Sequence, residues 1–212
     1  MKLDVLCLGP LRNNVIILSD DVTGKALVFD PSFDSEEVLE IVKSRNLTVE
    51  SLLFTHGHFD HFAGLAHLIA NLSPRPKVGL HKAELPLWQA AGGAAHWQVD
   101  IQTPEDPDFW LEEGVDLNFG AEKIQVRHTP GHSLGSVIFY LPWMNTAVVG
   151  DLIFKLGVGR TDLPGGDFSM LQNSILTKVF TLPPATVLIS GHGPSTTVAD
   201  EMEMNPYVNL AG

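Results

Sequence analysis

A chain of 212 residues with 44% hydrophobic content is long enough to bury a core without disulfide staples, and one cysteine, Cys7, excludes an internal bridge. Thirteen Lys plus Arg against 25 Asp plus Glu leave a formal net charge of -12, and no basic block with interleaved aromatics occurs, so a nucleic-acid partner is not expected. No apolar run approaches a membrane span, and the start lacks the long apolar region of a secretory signal, which favours the cytoplasm.

In chain order, apolar runs at 2–8, 14–19, 26–30 and 51–54 predict strands, and Val38, Leu39, Ile41 and Val42 predict a helix over 35–45. Cys7, inside the first run, reads as a buried strand residue. Residues 63–69 read as helix, and His81 is expected to begin another. Residues 92–110 mix glycine, proline, acid and aromatics and read as a loop: either a mobile pocket wall or a surface connection with Trp97 and Trp110 packed down. The segment around Trp88 and Trp97 is a candidate contact surface; the oligomeric state is left open. The second half repeats the theme, with strands near 115–119, 122–128, 136–141, 146–150 and 186–190 and a helix over 167–180. Without linker or repeat, one domain over 1–212 is expected.

The stretch Thr55-His56-Gly57-His58-Phe59-Asp60-His61 carries the most chemistry. It lies between a predicted strand and helix, so His56 and His58 share one side of an extended segment while Asp60 and His61 at the helix start point to its neighbour. Neutral imidazoles suit zinc, iron, manganese or nickel, and a carboxylate supplies the charge that lets two cations sit close. Further donors follow glycines at predicted strand ends: His132 after Gly131, Asp151 after Gly150 and His192 after Gly191. His67, His81 and His128 read as structural histidines, with a pocket role or a role supporting the ligands as the alternative for His81 and His128.

These motifs resemble the metallo-β-lactamase-fold superfamily, whose pattern is HxHxDH followed by His, Asp and His. Gly150-Asp151-Leu152-Ile153-Phe154, the run Gly159-Arg160-Thr161-Asp162-Leu163-Pro164-Gly165-Gly166-Asp167, Gly191-His192-Gly193-Pro194 and the ending Asn205-Pro206-Tyr207 are similar to its single-domain, glyoxalase II-like hydrolases. The resemblance implies an α/β fold, a four-layer αββα sandwich with the metal site at one edge of the two sheets. It implies that His56, His58 and His132 hold one metal, that Asp60, His61 and His192 hold a second, and that Asp151 bridges. Two divalent ions are expected, zinc first, with iron or manganese as alternatives.

The reaction expected is hydrolysis of a small acyl thioester such as S-lactoylglutathione by a metal-bridging hydroxide that Asp60 aims. Arg160 is the candidate substrate-binding residue, with a salt bridge to Asp162 or Asp167 as its rival role. β-Lactam cleavage is disfavoured, because β-lactamases of this fold lack an Asp at the Asp151 position. Glutathione recognition is in question, since 20 residues follow His192 and the two-domain relatives carry a longer helical segment there. The alternative is a mononuclear-iron persulfide dioxygenase of the same fold using His56, His132 and Asp151. A fold that has lost its chemistry and serves as a binding protein is the third reading.

Overall fold

The computed structural model describes residues 1–208. The chain divides into two compact units, Met1–Trp110 and Leu111–Gly212. Each is a mixed sheet with helices, as expected of the α/β class.

In the first unit β1 (Lys2–Leu8), β2 (Asn13–Asp20) and β3 (Lys25–Phe29) form an antiparallel meander. The chain then crosses through α1 (Glu36–Ser44) to β4 (Thr48–Leu53), parallel to β3, and through α2 (Phe59–Phe62) and α3 (Leu65–Asn71) to β5 (Lys77–His81), parallel to β4. A parallel neighbour requires such a crossover, and the crossover helices need an apolar face to rest on. They find it: Val38, Leu39 and Val42 of α1 and Phe62, Leu65 and Leu68 of α2 and α3 share one core with Val15, Ile17, Val28, Leu52 and Val78. The alternate residues of the sheet, Ile16, Leu18, Leu27 and Phe29, are buried as well, so these strands read as continuous apolar runs.

The second unit runs β7 (Leu117–Phe119), β8 (Glu122–His128), β9 (Val137–Leu141) and β10 (Thr146–Gly150), again antiparallel. A small hairpin of β11 (Ile153–Phe154) and β12 (Gly157–Val158) and the helix α5 (Phe168–Ser174), prolonged by a wider turn over Ile175–Val179, lead to β13 (Val187–Ser190), parallel to β10. β14 (Thr196–Thr197) and α6 (Val198–Met204) complete the unit. Leu171, Ile175, Val179 and Val198 pack with Ile138, Tyr140, Ala147, Val149 and Leu188.

Several expectations change. Cys7 is exposed: β1 is the edge of its sheet, and Leu6 and Leu8 turn inward where Val5 and Cys7 turn out. The expected strand 51–54 begins earlier, at Thr48, in parallel pairing with β3. β5, the brief β6 (Phe109–Leu111), the β11–β12 hairpin and β14 were not anticipated. His81 ends β5 and caps a short turn over Lys82–Glu84, its Nδ1 accepting from the Ala83 amide at 3.3 Å; the α-helix α4 follows at Leu85–Gln89.

Of the two readings of the 92–110 segment, the packed-down tryptophans are contradicted, while residues 100–105 do line a cavity together with Phe62, Leu65 and Arg75. Trp97 and Trp110 stay 48% and 36% exposed, so they do not pack down. Trp88 is the anchor instead, fully buried between Phe54 and Phe62 at ring distances of 4.9 and 4.7 Å, and therefore no contact surface. Its indole N–H donates to the Glu105 carbonyl at 2.9 Å, which fastens the loop. Gly92, at φ +61°, runs so close to the start of α2 that a Cβ there would lie 2.2 Å from the Phe59 nitrogen. Trp88→Ala is expected to cost about 3–5 kcal/mol, as large core truncations do, read as a lowered urea midpoint; an unchanged midpoint would refute the anchoring role.

Candidate metal centre

In the first unit the HxHxDH stretch follows β4 directly. His58 is extended, with φ -71° and ψ 145°, and α2 starts at the next residue, so two donors come from extended chain and two from the first helical turn. All four are buried. The imidazole centroids of His56 and His58 lie 4.9 Å apart and those of His56 and His61 4.1 Å apart, while Asp60 Oδ2 is 3.6 Å from His61 Nε2. His56, of the first donor pair, thus also lies beside His61 of the second.

What aims these rings lies outside the motif. Asp30, at the tip of β3 and 1% exposed, accepts the Thr55 amide at 2.8 Å on Oδ1 and the Thr55 hydroxyl at 2.6 Å on Oδ2. The same Oδ2 is 3.0 Å from His61 Nδ1. A carboxylate only accepts, so His61 carries its proton on Nδ1 and turns the Nε2 lone pair the other way. Thr55 has spent its one hydroxyl proton on Asp30, so at 3.0 Å it accepts from His56 Nδ1–H, fixing the same tautomer there. Asn13 Nδ2 donates to Asp60 Oδ2 at 2.8 Å, and buried Glu84 accepts the Gly57 amide at 2.7 Å, holding the turn between His56 and His58.

The second unit gathers its three expected donors in the same manner. His132 Nδ1–H donates to the Arg160 carbonyl at 2.8 Å, which directs Nε2 toward Asp151. Asp151 Oδ2 lies 3.8 Å from His132 Nε2 and 3.6 Å from His192 Nε2. The strand tips are tied, the Gly191 amide donating to the Gly150 carbonyl at 2.8 Å. Gly131, at φ +139°, passes so near α5 that a Cβ would sit 2.2 Å from the Leu171 nitrogen.

Separations of 3.6–3.8 Å are too long for hydrogen bonds. They match two ligands sharing one cation: bonds of about 2.0–2.2 Å in tetrahedral geometry place neighbouring donors roughly 3.4 Å apart. The donor set in each unit, imidazoles beside carboxylates with the tautomers of His56, His61 and His132 fixed, therefore fits a metal ion.

The loop from Gly157 to Asp167 begins at these donors. The Gly159 amide donates to the Leu152 carbonyl at 3.2 Å, and any side chain at 159 would overlap the Asp151 carbonyl, 1.8 Å from an ideal Cβ. The Arg160 guanidinium grips Asp162 with Nε–Oδ1 2.7 Å and Nη2–Oδ2 2.8 Å, the salt-bridge geometry foreseen as its rival role. That grip holds the Asp162 carboxyl down at about 2. Asp167 instead caps α5, accepting the Met170 amide at 2.8 Å.

Of the other histidines, His128 Nε2–H donates to the Leu134 carbonyl at 2.9 Å and His67 lies 3.8 Å from Glu36. Asn13, Asp30, Thr55 and Glu84 are site residues the motif reading missed. The available signal was Asp30 closing the apolar run Ala26-Leu27-Val28-Phe29, the same strand-tip position that marks Asp151. Asp30→Asn should weaken metal binding by about 10–100-fold in chelator competition, since it removes the acceptor that fixes the His61 ring; unchanged affinity in a folded variant would show that the contact does not orient the donor.

The family model for the metallo-β-lactamase superfamily matches residues 8–192. A probable metallo-hydrolase of Bacillus subtilis, YqgX, is 36% identical over 99% of this chain and 98% of its own. The hydroxyacylglutathione hydrolase GloC of Haemophilus influenzae is 29% identical over 99% of both chains. Among solved structures, the B3 metallo-β-lactamase BLEG-1 superposes with TM-score 0.91 at 36% identity over 100% of both chains, and TTHA1623 in a di-iron-bound form with TM-score 0.87 at 38% identity over 96% of this chain and 99% of that one. With its donors on strand tips and a family model that runs through both units, this chain belongs to the metallo-β-lactamase superfamily, as a metal-dependent hydrolase of that fold.

Proposed function

We propose that the two units act as one hydrolase domain that binds two metal ions and cleaves a small acyl thioester. Metal 1 would be held by His56, His58 and His132, metal 2 by Asp60, His61 and His192, with Asp151 shared. The observation that carries this reading is the Asp151 carboxylate set between two imidazoles at 3.6 and 3.8 Å, the place of a bridging ligand. The chemistry of the donors admits zinc, iron or manganese, and the di-iron form of a relative 38% identical supports iron beside zinc.

Bound ions of this kind lower the pKa of water toward about 7 and polarise a carbonyl. The chain's own residues supply position. Asp60, steadied by the Asn13 amide, accepts a hydrogen bond from the attacking water and aims it. Burial of His56, His58 and Asp60 limits competing solvent on that side. A thioester suits a site with no separate general acid, because a thiol of pKa near 8.5 departs without one.

The similarity to GloC supports a hydroxyacyl thioester such as S-lactoylglutathione. The similarity to a B3 metallo-β-lactamase makes a β-lactam amide the second reading, against the expectation drawn from Asp151. No described helix is long and apolar enough to cross a membrane. The lone thiol of Cys7 suits a reducing compartment, and we place the protein in the cytoplasm.

Metal-loaded protein assayed against S-lactoylglutathione, other acyl thioesters and a chromogenic cephalosporin is expected to turn over a thioester, to lose activity to chelator, and to lose about 10²-fold or more in kcat on Asp60→Asn. Turnover of the cephalosporin alone would establish the second reading. One iron per chain with oxygen uptake on glutathione persulfide would establish a dioxygenase instead.

A further inference from the structure

Arg160 joins a fixed base to an exposed head. Its carbonyl accepts from the His132 imidazole, and the preceding residue is pinned against Leu152 and the Asp151 carbonyl, so its main chain cannot shift without disturbing two metal donors. Beyond it, the Gly166 amide donates to the Leu163 carbonyl at 2.9 Å and the Asp167 amide to the Gly131 carbonyl at 2.8 Å, so the loop is fastened again before α5. Between these two points lie the Arg160 and Asp162 side chains, 45% and 68% exposed.

The guanidinium is engaged in the two-point geometry with which arginine recognises any carboxylate. On a chain of net charge -12, a cation whose main chain touches a metal donor is the natural landing point for an anionic substrate. Asp162 occupies that landing point. Because the pair is exposed, its grip is weak enough to be exchanged, carboxylate for carboxylate.

We infer that Asp162 is an internal competitor for the substrate carboxylate at Arg160, and so a specificity residue that lowers this enzyme's preference for anionic over neutral thioesters. The inference deepens the thioester reading and rests on it for the substrate class. A carboxylate-bearing acyl thioester must displace Asp162 to reach Arg160; a neutral thioester has nothing to displace. Removing the competitor therefore tightens anionic ligands, and only while Arg160 is present.

The test is a double-mutant cycle on the full-length, metal-loaded chain with Asp162→Asn, Arg160→Gln and both together, and Asp162→Ala as a second variant. Binding of S-methylglutathione, an unreactive dicarboxylate thioether, is followed by titration. Both Asp162 variants are expected to bind it about three-fold more tightly, Arg160→Gln more weakly, and the Asp162 change to have no effect in the Arg160→Gln background. KM for S-lactoylglutathione should fall by the same factor, and KM for the acetyl thioester of N-acetylcysteamine, which is neutral, should not move. Unchanged affinity in the Asp162 variants, no binding by any form, or a gain that persists without Arg160, which is a field effect, would overturn the inference. Absence of thioester turnover by the parent chain would remove the proposed function instead, and the binding cycle would still decide the role of Asp162.

Discussion

The structure of the first unit depends on a buried carboxylate. Burying an ionised group without partners costs several kcal/mol, so Asp30 is tolerable at the end of β3 only because every donor it needs is brought to it. Those donors are the Thr55 amide and hydroxyl and the His61 ring. Satisfying Asp30 therefore sets where β4 ends, how the following turn leaves the sheet, and which nitrogen of each ring keeps its proton. Fold stability and donor alignment are one requirement here. A chain that folds with Asp30 paired has already fixed the tautomers of His56 and His61, leaving Nε2 of each as the acceptor nitrogen.

The second unit reaches the same end with main chain in place of a carboxylate. His132 is oriented by a backbone carbonyl, and the tips of β10 and β13 are laced by a backbone hydrogen bond between glycines. Here glycine is a steric necessity: Gly131 and Gly159 run within contact of α5 and of the Asp151 carbonyl, where a methyl group does not fit. The loop that orients His132 also carries Arg160, so the alignment of that imidazole and the proposed recognition of substrate charge rest on one short segment.

Much of this was legible in the sequence. The seven candidate donors stand out because their spacing places them at strand tips, and the glycine before each of His132, Asp151 and His192 marks a turn. β2, β3, β9 and β10 follow from apolar runs that the structure buries on both faces. Asp30, Asn13 and Glu84 escaped because each is one polar residue whose partner lies 25 to 47 positions away, a separation no local pattern encodes. Short strands such as β6, β12 and β14 exist through pairing with a neighbour and carry almost no periodicity of their own. Cys7 was misplaced because an edge strand has one uncovered face, and edge position is a property of the assembled sheet. Trp88 and Trp97 look alike in sequence; only the packing of Phe54 and Phe62 singles out the former as core.

The central claim is that the donors of the two units complete a dinuclear centre with Asp151 shared between the ions. The most direct measurement is metal stoichiometry by elemental analysis of the purified chain reconstituted with excess zinc or iron. The account predicts two ions per chain, falling toward one or none in Asp151→Ala while the protein remains folded by circular dichroism. One ion per chain in the parent protein, or two ions retained without Asp151, would contradict it.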